Sequence, residues 1–76
     1  MDFNNEISDV LMTIGRNVKM FRLEKNLTQQ DLAYLSGKLE RCTISNIERF
    51  NCNGINLTTL IKIAVVLDIS LVDLLM

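Results

Sequence analysis

The chain has no proline, no tryptophan and no histidine, and only three glycines among its 76 residues. A many-stranded β fold needs turn residues every few positions, so a sandwich or barrel is not expected. Cys42 and Cys52 lack a Cys-x-x-Cys spacing and have no histidine to join them, which excludes a zinc site from the expectations. Reduced thiols are the simpler reading, although the spacing leaves a disulfide between them open. The longest unbroken apolar run is Ile63–Leu67, far short of the roughly 20 residues that span a bilayer. The chain starts Met-Asp-Phe-Asn-Asn-Glu, acidic where a signal peptide is basic, so neither export nor a membrane is expected. Also missing are a Gly-rich phosphate loop, a Gly-x-Ser-x-Gly string and paired carboxylates on one face. An enzyme would have nothing to work with, and no cofactor is expected.

What the chain does have is a globular balance, 49% apolar and 22% charged residues. At this length it holds one core and buries about 60–65% of its unfolded surface, leaving little room for a deep cleft. The net charge of −1 conceals an uneven distribution. Residues 1–15 carry only Asp2, Glu6 and Asp9. Residues 16–49 carry Arg16, Lys19, Arg22, Lys25, Lys38, Arg41 and Arg49 against Glu24, Asp31, Glu40 and Glu48. Local potential rather than the total decides phosphate binding. On charge alone, the basic middle fits a nucleic-acid face and a solvated mixed-charge surface equally well.

Apolar spacing predicts five helices. In the first, Ile7, Val10, Leu11, Ile14, Val18 and Phe21 follow one helical face, with Asn5 or Ser8 as cap and Lys25-Asn26 as the end. Gly15 lies inside it and implies close packing against another helix. Thr28-Gln29-Gln30-Asp31 reads as a near capping box opening a second helix, which stops at Ser36-Gly37. The third runs from about Arg41 to Phe50 with Ile44 and Ile47 inward. Residues 51–56 form a loop by composition. A fourth helix starts at Leu57 with Asn56 as its cap, and a fifth opens at Ser70 with Asp73 three positions on. The fold class is therefore all-α, in one domain spanning 1–76.

Leu27–Glu48 describes a helix-turn-helix, with the unit spanning about 28–50. The strings Ile14-Gly15, Val18, Phe21-Arg22, then Leu27-Thr28-Gln29-Gln30-Asp31-Leu32-Ala33, then Ile44-Ser45-Asn46-Ile47-Glu48-Arg49, then Leu60, Ile63-Ala64, Leu67 and Ser70-Leu71 with Asp73-Leu74-Leu75 continue the pattern. At this spacing the chain resembles the phage repressor/Cro (XRE-type) helix-turn-helix family. Among its members, the small restriction–modification controller proteins are the most similar in size. Two departures stand out. The turn Gly37-Lys38-Leu39-Glu40 is one residue longer than usual, and Phe50-Asn51 follows Glu48-Arg49 where the family usually has glycine. Asn51 is expected to take the left-handed conformation there.

The resemblance implies a cytoplasmic, bacterial or phage-type and nucleoid-associated regulator of transcription that binds double-stranded DNA as a homodimer. A DNA-binding antitoxin, or another partner-binding module of the same fold, is the alternative. A recognition helix presents its N-terminal residues to the major groove. That makes Arg41, Cys42, Thr43 and Asn46 the candidate base contacts, with Arg41 suited to guanine and Asn46 to adenine. Gln29 matches the family position that holds a DNA phosphate, at a helix N-terminus that favours anions. Thr28, primarily a cap, joins Ser45, Lys38, Arg49 and Asn51 as further backbone candidates, and Asn53 lies near enough to flank them. Arg22 and Glu48 match a pair that forms an internal salt bridge in the family. Cys42 reads as a small hydrophobe in the turn, with a redox switch as the sharper alternative.

The fourth helix is apolar almost all round. With Leu60, Ile63, Ala64 and Leu67 inward, Ile61 and Val65 lie on another face, and Ile69, Val72 and Met76 extend it. These five residues are the candidate dimer interface. The competing expectation is that the acidic first helix folds back and covers them with Ile7 and Leu11.

Overall fold

In the computed structural model the described residues are 2–50 and 55–76. They form five helices: α1 (Phe3–Glu24), α2 (Gln29–Leu35), α3 (Arg41–Glu48), α4 (Leu57–Leu67) and α5 (Leu71–Leu75). No strand occurs among the described residues. The expected order and number of helices are observed.

Helix ends follow from local chemistry. α1 begins earlier than expected because Asp2, not Asn5 or Ser8, caps it. The Asp2 carboxylate accepts from the backbone N–H groups of Asn4 and Asn5 at 3.1 and 3.3 Å. At the other end Asn26 turns left-handed, φ +58°. The N–H groups of Asn26 and Leu27 then donate to the carbonyls of Leu23 and Arg22, a Schellman closure. Thr28 and Asp31 form a complete capping box on α2, and Ser70 and Asp73 form one on α5. Asn56 caps α4 through the N–H of Thr58, at 2.7 Å.

The long turn after α2 uses two consecutive left-handed residues, Gly37 (φ +95°) and Lys38 (φ +60°), which absorb the extra residue before α3. After α3, Phe50 itself takes φ +62°, one residue before the expected Asn51. Asn51 and Asn53, like Cys52, lie outside the described residues.

Ile14 and Val18 of α1, Leu32 and Ala33 of α2, and Ile44 and Ile47 of α3 are buried. They close the core with Leu60, Ile63, Ala64, Leu67 and Leu74. α3 is wedged between α1 and α2, and α1 also carries α5. The Asn17 amide donates to the carbonyls of Leu74 and Asp73 at 2.9 and 3.2 Å, which fixes the end of α5 against the middle of α1. None of residues 2–10 is buried, so α1 extends past the bundle. The fold-back is not observed: Ile7 is exposed, Leu11 is half-buried, and Ile61 and Val65 stay open at the same time.

Candidate nucleic-acid interface

The base of the interface is a buried ion pair. Arg22 Nε donates to Glu48 Oε2 at 2.8 Å and Nη2 to Oε1 at 3.1 Å, a two-point fork. The remaining Nη1 donates to the Leu27 carbonyl at 2.7 Å. This ties α1, α3 and the entry to α2 together, with the two side chains only 9% and 4% exposed. The Gln29 amide nitrogen also donates to Glu48 Oε1, at 3.2 Å. Gln29, the first residue of α2, is thereby anchored on the pair, with its side-chain carbonyl making no hydrogen bond among the described residues.

α3 leaves the core between Ile44 and Ile47. Helical periodicity then lines up Cys42, Asn46 and Arg49 on its outer side. Cys42 and Arg49 are exposed, and Asn46 and Thr43 are half-buried. Arg41 is exposed at the N-terminal end. It borders two shallow depressions, one of about 610 Å³ shared with Thr28, Gln29 and Gln30, the other of about 400 Å³ shared with Tyr34, Lys38 and Glu40. The base candidates Arg41, Cys42, Thr43 and Asn46 thus share the start and outer side of one helix, beside Gln29 and Lys38.

Ser45 requires a correction. Expected to reach a phosphate, it is only 6% exposed, because α3 buries Ser45 along with the arc through Ile44 and Ile47 as it wedges against α1 and α2. Thr28 commits its hydroxyl to the N–H of Asp31 at 3.0 Å. Its own backbone and side-chain hydrogen bonds hold the Asp31 carboxyl below the ordinary carboxylate range.

Two residues outside the sequence-based candidates stand in this face. Tyr34 presents an exposed ring on the outer side of α2. Glu40 is the N-cap of α3 but makes no capping bond with its side chain. Its carboxylate instead accepts from the Cys42 thiol at 3.3 Å, and that hydrogen bond is the first cause pushing the thiol up from its ordinary value. The signal for Glu40 was its place directly before α3; a carboxylate beside expected phosphate contacts ran against the charge argument. Among the described residues, no group of three or more Cys, Asp or Glu side chains converges where a metal would sit.

Comparison with known proteins adds the following. Residues 18–74 match a helix-turn-helix family model. Among solved structures, the chain is similar to the restriction-modification controller protein C.AhdI from Aeromonas hydrophila. The two are 36% identical with a TM-score of 0.77, over 84% of this chain and 94% of that one. It is also similar to the hypothetical transcription factor NHTF from Neisseria, at 31% identity and a TM-score of 0.84, over 92% of this chain and 78% of the other. No curated protein matches the chain.

Proposed function

The chain belongs to the XRE-type helix-turn-helix family of DNA-binding transcription regulators, and from that premise we propose that it acts as a homodimer on a palindromic operator, as a controller of restriction–modification genes. The observation that carries the DNA part is the outer side of α3. Cys42, Asn46 and Arg49 follow one line, the first and last exposed and Asn46 half-buried, with Arg41 and Thr43 beside them, on a helix locked from behind by Arg22 and Glu48. In this reading Arg41, Cys42, Thr43 and Asn46 meet base edges in the major groove. Gln29, Lys38 and Arg49 hold the flanking phosphates.

The dimer part is supported by the apolar residues that one chain leaves uncovered: Ile61, Val65, Val72 and Met76 are exposed, and Ile69 is half-buried. A two-fold pairing across this face would set two copies of α3 about one DNA turn, roughly 34 Å, apart. The controller role rests on the likeness to C.AhdI. No helix among the described residues is long and apolar enough to cross a membrane, and operator DNA sets the place of action in the cytoplasm, at the nucleoid. The reading assigns no catalysis.

The test is selection of bound sequences from random duplex DNA, followed by titration of the best site against salt. About four to eight phosphate contacts per dimer give a log–log slope of roughly −4 to −7. A slope near zero, or no selected duplex, overturns the reading.

A further inference from the structure

The first turns of α1 carry an apolar stripe with nothing over it. Phe3, Ile7 and Val10 repeat at helical spacing and continue the line that is buried further on as Ile14 and Val18, yet they are 64%, 54% and 48% exposed. None of residues 2–10 is buried, so these turns pass beyond the bundle, and residues 3–10 alone span about 12 Å. A short helical segment without packing is marginal in water. A shallow depression of about 340 Å³ lies along this arm, bordered by Glu6, Ile7, Val10 and Leu11. The arm also lies outside the matched family region, residues 18–74.

A second open apolar surface lies between α2 and α4. A groove of about 280 Å³ runs between the end of α2 and α4, lined by Leu35, Ser36, Ile61, Lys62, Val65 and Val66. The Ser36 hydroxyl is buried without a hydrogen-bond partner among the described residues, and Val65 is 72% exposed. The one charged residue in α4 is Lys62. The arm carries Asp2, Glu6 and Asp9 and no basic residue.

We propose that the arm of each copy, Asp2 to Val10, docks in the α2–α4 groove of a second copy, with Glu6 beside the partner's Lys62. The inference rests on the homodimer reading and specifies its contacts. Within one chain both surfaces are open at once, so the chain does not satisfy them itself. Pairing two arms with each other would set three acidic residues against three; pairing arm with groove sets acid against base. Docking covers Phe3, Ile7 and Val10 on one copy and Ile61 and Val65 on the other, apolar side chains that each chain leaves open. The Glu6–Lys62 contact fixes orientation more than affinity.

Sedimentation of the full chain at tens of micromolar, with helicity followed by circular dichroism, tests this. Wild type is expected to be dimeric. Ile7→Glu, at an exposed position, is expected to keep its helicity and raise the dimer dissociation constant roughly tenfold or more. Lys62→Glu is expected to weaken the dimer, and Glu6→Lys added to Lys62→Glu to restore it. If Ile7→Glu dimerises like wild type while Val65→Glu does not, the arm contact is overturned and the dimer stands. A monomeric wild type overturns both. If Ile7→Glu loses its helicity, the charge-reversed pair decides: recovery supports the contact and its absence overturns it.

Discussion

The ring of Phe50 lies over Gly15 so closely that a β-carbon at position 15 would stand 2.8 Å from it, and 2.5 Å from the Ile47 carbonyl oxygen. A ring can swing aside, but a backbone carbonyl in α3 cannot do so without moving the helix. Gly15→Ala is therefore expected to destabilise the protein by about 1–3 kcal/mol, although alanine is the better helix former by about 1 kcal/mol. Thermal unfolding checks this, at roughly 4–8 °C per kcal/mol for a domain of this size. An unchanged or raised midpoint would show that α1 and α3 separate freely at this crossing.

Phe50 is held in the left-handed region, at φ +62°, and its ring lies against Gly15 although the residue is 41% exposed. For a residue with a β-carbon that conformation costs about 1–2 kcal/mol. Phe50→Ala keeps the strain and loses the packing, whereas Phe50→Gly loses the packing and relieves the strain. The alanine variant is expected to be less stable than the glycine variant by about 1 kcal/mol, measured by urea unfolding. Equal stabilities would remove the strain argument.

This crossing also marks the boundary of what the sequence makes legible. The five helices, the Thr28 box, the Asn56 and Ser70 caps and the inward pair Ile44–Ile47 follow from local spacing and hydrogen-bond chemistry, and they are observed. Gly15 announced a close approach, but its partner Phe50 depended on where α3 ends. The earlier start of α1 is carried by Phe3, which extends the Ile7 and Val10 spacing back by one turn and puts Asp2 at the cap. Ser45 differs from the expectation because the buried arc of α3 depends on two neighbouring helices, which periodicity within α3 does not reveal. The bond between Glu40 and Cys42 is not legible for a different, local reason: it arises from the geometry of a helix entrance, not from residue type.

The Arg22–Glu48 pair has a one-sided energetic signature. Glu48→Ala leaves the buried guanidinium with only the Leu27 carbonyl, and Arg22→Ala leaves the carboxylate with only the Gln29 amide. Each is expected to cost about 3–5 kcal/mol, whereas replacing both by apolar residues of similar volume costs much less than the two singles combined. A double-mutant cycle by chemical denaturation checks this. Additive losses would mean that the two side chains act independently.

At the entrance to α3, Glu40 raises the Cys42 pKa chiefly by accepting its hydrogen bond. A raised value means less thiolate at any given pH, hence slower attack on an electrophile. In a Cys52→Ser background, alkylation of Cys42 near neutral pH is expected to accelerate on Glu40→Gln, and the pH at which the rate is half-maximal to fall. This works against a redox switch in the wild-type chain. If Glu40→Gln leaves the rate profile unmoved, the thiol is not governed by that carboxylate.

The outer line of α3 separates reading from holding. Asn46 lies between Cys42 and Arg49 on the open side, half-buried and without a side-chain hydrogen bond among the described residues, so its amide is available to a base edge. Asn46→Ala is expected to cost about 1–3 kcal/mol on the best selected site and to relax preference at a single base pair, and Arg41→Ala to do the same at another. Gln29→Ala is expected to weaken all sequences about equally. It should also lower stability slightly, because Gln29 donates to Glu48. Parallel binding and melting curves distinguish these outcomes, since a base-reading residue changes the ranking of sites and a phosphate-holding one lowers every site together. If Asn46→Ala keeps the wild-type ranking, base reading passes to the neighbours on the same line, Cys42 and Arg49, and the assignment of Asn46 is wrong.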